Sequence, residues 1–413
     1  MGEILAKTRN GLLYAPPLAA FLRPKNVKLV TKLKDTRRVP KAHSCSVEVA
    51  RFILKIVVSH LSMLIRNQAR NLSAVALAIS MTCFSIAAAG AASEPNKDNP
   101  KLVLTSRATY EDYLKFKDAP KVMAPKIGLA LGGGGARGAA HAGVLDVLNK
   151  EGIKFDYITG TSIGAIVGGL YAAGVPISKM QEDFETGALM KHFMPVSLPV
   201  RIMLAPILYT PRLLGAKPYD GLYNGNIFRK YMDKNLPDDQ QEISKLKIPF
   251  SAISLNILDG RPYMIQGGDL GYAMQASSAV PGLRKPVEIG GRLFVDGGVV
   301  CNLPVKQCRE MGANIVIAVN IDEPFAETKL ETFRRPGSVT RRMLKWDLYT
   351  IDEAQEAIAD VVIHPDTEGV SLITTSKKLA KKAFAEGQKA ARRALPEIKK
   401  KLEAAATIVE KES

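Results

Sequence analysis

Three clusters in this 413-residue chain have the residue types and spacing for chemistry. The first is the loop 132–138, GGGGARG, which follows the apolar run Ile127–Leu131 and precedes the helical spacing of Ala139–Lys150. Glycines let a backbone turn through positive φ and approach a ligand closely. The helix that follows presents unpaired N–H groups, which bind anions or oxyanions. Taken alone the loop is ambiguous. Gly133, Gly135 and Gly138 also satisfy GxGxxG, the dinucleotide fingerprint, with Asp156 close to the distance expected of a ribose acceptor.

The second cluster is Gly160-Thr161-Ser162-Ile163-Gly164, again at a strand-to-helix turn. This is the G-x-S-x-G pattern of a nucleophile elbow, in which a tight turn forces the serine Oγ out of the sheet edge. The flanking glycines are needed because side chains there would clash across the turn. A plain glycine-rich turn is the alternative, but the elbow explains the serine as well. The third is Asp296-Gly297-Gly298, after the strand-like 292–295 and before Asn302-Leu303-Pro304. A carboxylate that ends a strand and is followed by two glycines can reach into a cleft. On its own it would read as a turn aspartate. A serine nucleophile needs a base. His141, His192 and His364 are the histidines of the body, and none has a motif around it. His141, early in the helix after the glycine loop, reads as a packing or loop-supporting residue.

The order glycine loop, GxSxG, Asp-Gly-Gly resembles the patatin-like phospholipase family of serine acyl hydrolases. The matching segments are LGGGGARGAAHAGVLDVL, ITGTSIGAIVGGLYAAG and ASSAVPGLRKPVEIGGRLFVDGGVVCNLPV, within roughly residues 126–320. The resemblance implies a Ser162–Asp296 dyad without a histidine. It implies an oxyanion hole from Gly133, Gly134 and Gly135 with Arg137 beside it, framed by the motif glycines Gly138, Gly160, Gly164, Gly297 and Gly298. It implies a three-layer α/β/α fold with a mostly parallel sheet, no metal and no cofactor, and an ester or lipid substrate. A nucleotide-binding oxidoreductase remains the competitor built on the glycine loop, and a catalytically idle binding protein on the same fold is the third reading.

The elements that must position these groups alternate. Apolar strands are expected at Ile127–Leu131, 155–159, 248–256, Arg261–Ile265, 292–295, 315–321 and 360–364. Helices are expected at Tyr110–Lys117, Ala139–Lys150, 163–173, 303–311 and 376–404. That alternation is the pattern of an α/β fold. The Met- and Pro-rich stretch 190–214 lacks clean periodicity and is a candidate lid or acyl-chain wall.

Charge and composition bound the rest. The net charge is +17, but residues 94–369 carry 32 Lys and Arg against 32 Asp and Glu. The excess lies in 1–93 and 370–413, so the body is no partner for a phosphate backbone, and nucleic acid is not expected. Four cysteines, Cys45, Cys83, Cys301 and Cys308, exclude a disulfide scaffold. Residues 1–93 read as a basic leader. Within it, 63–91 has a charged start (Arg66, Arg70), an apolar core and an Ala89-Gly90-Ala91 exit, the pattern of a secretory signal. It is read as cleaved or as a membrane anchor, with Met63 as the true start. The protein is therefore expected to be exported, periplasmic or inner-membrane-associated, or cytoplasmic if the signal is unused. Residues 94–125 read as a linker, 126–320 as the hydrolase domain and 321–413 as an extension ending in a basic amphipathic helix. Association with a membrane surface is expected. The oligomeric state is not legible.

Overall fold

The computed structural model describes residues 100–117, 125–205 and 217–412. The expected leader, its signal at 63–91, Met63, Cys45 and Cys83 lie outside them. Among the described residues nine strands form one mixed sheet. They are β1 (Leu102–Leu104), β2 (Ile127–Leu131), β3 (Tyr157–Thr161), β4 (Phe250–Asn256), β5 (Arg261–Ile265), β6 (Val287–Ile289), β7 (Arg292–Asp296), β8 (Ile315–Val319) and β9 (Val361–Ile363). The main path runs β1-β5-β4-β3-β2-β8-β9, and its four central and C-terminal pairings, from β4 through β9, are parallel.

β2 and β8 read as unbroken apolar runs, IGLAL and IVIAV, because both faces are covered. Leu129, Leu131, Ile317 and Val319 face one apolar core; Ala130, Val316 and Ala318 face another. The first core holds helices α2 (Ala139–Lys150) and α3 (Ile163–Ala172). The second holds α9 (Val305–Glu310) and the partly buried Tyr113 and Phe116 of α1 (Tyr110–Lys117). The expected three-layer α/β/α arrangement with a mostly parallel sheet is what the chain adopts.

Several boundaries differ from the sequence reading. The strand expected at 155–159 lies two residues later. Asp156 is instead locked at the start of β2, its backbone N–H donating to the Ile127 carbonyl and its carboxylate accepting from the Ile127 N–H. The expected linker contributes β1, which pairs antiparallel with β5 at Leu102↔Ile265. The expected C-terminal extension supplies β9 and the long helix α11 (Lys377–Glu412). The described part of the aperiodic stretch holds two short helices, α5 (Ala188–Phe193) and α6 (Leu198–Met203), after α4 (Ile177–Glu185), and its remainder, 206–214, with that part of the expected lid, lies outside the described residues. Helices α7 (Asn226–Asn235), α8 (Leu270–Ser277) and α10 (Ser338–Glu356) also escaped the pattern. β6 and β7 form a hairpin whose two-residue turn, Gly290-Gly291, has φ of 56° and 72°. Positive φ at both positions is the primed turn that suits strand twist. Among the described residues no helix is long and apolar enough to cross a membrane.

α11 packs lengthwise on α2 at glycine contacts. A Cβ at Gly143 would overlap the Phe384 carbonyl, and one at Gly387 would overlap the Ala140 carbonyl. The two backbones therefore touch where a side chain cannot fit. Gly387→Val should force them apart and cost about 2 kcal/mol or more, the typical penalty of overpacking. Urea unfolding of the full chain reads this directly, and an unchanged midpoint would contradict the close approach.

Candidate active site

Ser162 sits between β3 and α3 with φ 54° and ψ −119°. Among the described residues it is the only non-glycine with positive φ. Such a conformation costs roughly 1–3 kcal/mol and persists only where its surroundings enforce it. They do so here on three sides. A Cβ at Gly160 would overlap the Gly164 backbone, and one at Gly164 would overlap the Leu131 carbonyl, so the turn closes only with glycine at both. The Ser162 N–H donates to Ser277 Oγ at 3.0 Å, and that hydroxyl donates to the Ile253 carbonyl at 2.6 Å. α3, ten residues of small and apolar side chains, is buried almost throughout.

The register of β4 brings Asp296 to this turn. β3 ends with Thr161 opposite Ile253. β7 runs antiparallel on the same edge of β4 and ends with Asp296 opposite Ser254. Two strand ends therefore meet head-on at consecutive β4 residues. The Ser162 side chain lies within hydrogen-bonding reach of the Asp296 carboxylate. Asp296 Oδ1 also accepts the Gly298 N–H at 2.8 Å. A Cβ at Gly297 would overlap the Ile253 backbone, which explains the first glycine of the pair.

Burial pushes the Asp296 carboxyl up to about 6; the Ser162 hydroxyl, the Gly298 N–H and the Arg284 charge pull the other way. Arg284 is itself buried, its guanidinium carbon 4.3 Å from the Phe193 ring centroid and 4.8 Å from that of Phe228. Among the described residues its two terminal nitrogens have no hydrogen-bond partner.

The glycine loop lies over the serine. An ideal Cβ on Gly133 would stand 3.5 Å from Ser162 Cβ. The loop is braced at several points. Gly132 N–H donates to Val319, Gly133 N–H to Asn302 at 3.2 Å and Ala136 N–H to Leu372, all at backbone carbonyls. The N–H groups of Gly134 and Gly135 make no backbone hydrogen bond among the described residues. Arg137, expected beside an oxyanion hole, is turned to loop contacts. It pairs with Asp322 at 3.2 Å and Glu323 at 2.7 Å, and its Nε donates to the Val370 carbonyl. Gly138 lets α2 pass α3, since a Cβ there would overlap Ile163.

None of the three histidines sits on the serine. His141 Nε2 donates to the Gly132 carbonyl at 2.8 Å, and full burial lowers its pKa to about 4, so the ring is neutral. His192 stacks on Tyr231, and His364 pairs with Glu356 at 3.3 Å. Asp156, the ribose candidate, is at the opposite end of β2 from the glycine loop, bonded to Lys126 and Ile127. Behind the loop, Asn302 Nδ2 donates to Asp322 at 3.1 Å and Asp352 at 2.8 Å. Burial and the neighbouring Asp322 hold Asp352 well above the usual carboxylate range. Among the described residues no group of three or more His, Cys, Asp or Glu is placed to hold a metal ion.

Sequence reasoning missed Ser277 and Arg284, although both stand in the motif ASSAVPGLRKPV. It named Asn302 only as a residue following the Asp-Gly-Gly element.

A profile described as patatin-like phospholipase matches residues 129–309. An uncharacterised NTE-family protein of Mycobacterium tuberculosis is 34% identical over 200 residues, 48% of this chain and 49% of that protein. Human patatin-like phospholipase domain-containing protein 6 is 33% identical over 209 residues, 50% of this chain and 14% of that protein. Lysophospholipase NTE1 of Kluyveromyces lactis is 32% identical over 230 residues, 54% and 14%. The alignments thus span about half the length of the first of these relatives and much less of the others. Among solved structures, VipD of Legionella pneumophila superposes with a TM-score of 0.37 at 14% identity, over 75% of this chain and 72% of that one. Residues 129–309 of the chain thus carry a patatin-like phospholipase domain.

The raised Asp296 carboxyl has a consequence for stability. The folded state holds this proton more tightly than the unfolded chain. The resulting stabilisation is complete below about pH 4 and is lost as pH rises to about 6. Asp296→Asn keeps the neutral shape at all pH values. It should therefore stabilise the protein more at pH 8 than at pH 4.5, by a difference of about 2 kcal/mol. Urea titrations of both proteins at the two pH values measure it; equal differences would show that burial does not burden the carboxylate.

Proposed function

We propose that this protein is a serine acyl hydrolase that cleaves ester bonds of phospholipids or related lipids. The observation that carries the reading is the meeting of Ser162, on its strained turn, with the buried Asp296 at adjacent β4 positions. The family supports the substrate class: relatives are described as phospholipase-domain proteins and as a lysophospholipase.

Asp296 takes the Ser162 proton as Oγ attacks the ester carbonyl. The positive end of α3 lies under the new bond. The carbonyl oxygen gathers negative charge and is met by the N–H groups of Gly134 and Gly135, each donor worth about 3–4 kcal/mol in the transition state. Gly133, with its N–H given to Asn302, supplies the close approach instead. The protonated Asp296 returns its proton to the leaving alkoxide. Water, deprotonated by the same carboxylate, then releases the acid. His141 serves by fixing the Gly132 carbonyl, so no histidine enters the proton path.

Ser162→Ala should lose at least 10³-fold in turnover of a soluble short-chain ester. Asp296→Asn should lose 10²–10⁴-fold, whereas His192→Ala and His364→Ala should each stay within about tenfold. The kcat/KM of the parent should rise with pH through about 6 as Asp296 ionises. A histidine variant as impaired as Asp296→Asn, with unchanged circular dichroism, would overturn the dyad.

Export belongs to the same proposal, with 63–91 as the signal that carries the domain across the inner membrane. N-terminal sequencing of protein from the native host should then find a mature start near Ala92. A start at Met1 in the cytosol would reject it.

A further inference from the structure

α10 carries an apolar side that the described residues leave largely exposed. It is the crossover from β8 to β9, yet of its 19 residues only Asp352 and Gln355, near its end, are buried. Val339, Met343 and Trp346 recur at i, i+4 and i+7, the spacing of a single helical face. All three are exposed, Met343 by 53% and Trp346 by 38%. Leu330, on the turn before the helix, is 73% exposed. The Trp346 ring packs edge-on to Phe325, centroids 4.9 Å apart, and the Arg342 guanidinium lies over Phe325 at 3.4 Å. Two aromatic rings are thus held at the surface by a cation.

Charge distinguishes this patch from the rest of the body. Residues 329–345 hold six Lys and Arg (Lys329, Arg334, Arg335, Arg341, Arg342, Lys345) against Glu331 alone, leaving +5 in a body that sums to zero. Lys345 pairs with Glu323 and Arg342 donates to the Ala326 carbonyl; no ion pair is formed by Arg334, Arg335 or Arg341 among the described residues. A second copy docking on the same face would set +5 against +5. An apolar stripe with tryptophan at the water boundary, ringed by arginine and lysine, matches the chemistry of an anionic lipid interface.

The position suits that partner. Parallel strands carry the glycine loop, Ser162 and the β8–α10 connection at the same C-terminal edge of the sheet, and the last turns of α10 bond to that edge, Asn302 donating to Asp352 and Asn320 to Glu356. The exposed Leu372 and Ile373 belong to the loop whose Leu372 carbonyl holds the Ala136 N–H.

We propose that the N-terminal half of α10, with Leu330, docks the protein on the anionic face of a lipid bilayer and turns the Ser162 edge toward it. The inference deepens the lipid-hydrolase reading and rests on it only for the orientation.

Trp346 is the chain's single tryptophan, so its emission reports this patch alone. The probe is vesicles of ether-linked phosphatidylglycerol and phosphatidylcholine, which an ester hydrolase cannot consume, mixed with the full chain. Trp346 emission should shift to the blue on anionic vesicles and be quenched by chain-brominated lipid. The effect should weaken from 0.05 to 0.5 M salt, roughly as the screening length contracts. Arg341→Glu with Arg342→Glu should weaken partitioning about thirtyfold or more, while short-chain ester hydrolysis stays within about twofold. Vesicle co-sedimentation without a Trp346 shift would overturn the proposal, since another segment would then be the anchor. An equal shift on pure phosphatidylcholine, or a concentration-dependent shift without vesicles, would overturn it as well. Loss of ester hydrolysis in the parent, with the Trp346 shift intact, would reject the hydrolase reading and leave the docking face standing.

Discussion

One edge of β4 is the constraint on which this molecule turns. β3 arrives along it in parallel and stops at Ile253; β7 arrives from the other direction and stops at Ser254. No other placement would bring residues so distant in the chain to adjacent pleats. The edge cannot carry a continuous strand across that point, because both chains must leave it: β3 through the strained Ser162 and β7 through Gly297. Ser277 ties the two departures to the sheet. Its hydroxyl accepts the Ser162 N–H while donating to the Ile253 carbonyl, at the β4 position where β3 stops. The strain in Ser162 is thus opposed by a hydrogen bond anchored in the same edge that created it.

Closure of that edge also sets the electrostatics. Asp296 is walled off from water, so its charged form loses hydration and gains only a few compensating dipoles. Arg284 is the charge that acts on it, from beside two phenylalanine rings and with both terminal nitrogens unpartnered among the described residues. A buried guanidinium left unpaired is costly. Its field on the carboxylate is the visible return, since it holds Asp296 below where burial alone would leave it. A carboxyl poised near 6 is ionised at neutral pH yet basic enough to accept a serine proton, a balance that a solvated aspartate near 4 would not reach.

The sequence made the local half of this legible. Strand, glycine loop and helix at 127–150, and strand, GTSIG and helix at 157–172, follow from apolar runs, glycines and helical spacing. Each lies within one stretch of chain. What stayed hidden depends on distant pairing. β1 is three residues inside a Pro-containing polar stretch and is a strand only because β5 offers it an edge. β9 is equally short. The strand placed at 155–159 slid because Phe155, apolar enough to extend it, is buried in the core while Asp156 turns back to close on Ile127. Ser277 and Arg284 carried no signal beyond their motif: a serine at the end of a helix and an arginine beside Lys285 look like surface residues until burial is known.

In the mechanism proposed above, the glycine loop would be preorganised without a dedicated side-chain donor. Gly132, Gly133 and Ala136 give their N–H groups to Val319, Asn302 and Leu372, and His141 holds the Gly132 carbonyl from beneath. Arg137 fixes the far side on Asp322, Glu323 and Val370. Every one of these braces acts on a neighbour of Gly134 and Gly135, not on those residues' own N–H groups. The φ values of 147° and 57° at these two positions keep the peptide planes where side-chain-bearing residues would not hold them. Donors fixed this way need no rearrangement when charge develops opposite them, which is the condition under which a backbone N–H contributes most to a reaction. Asp352 behind Asn302, whose charged form burial and the neighbouring Asp322 disfavour, fits the same logic, because a second full negative charge beneath the loop would oppose the one expected above it.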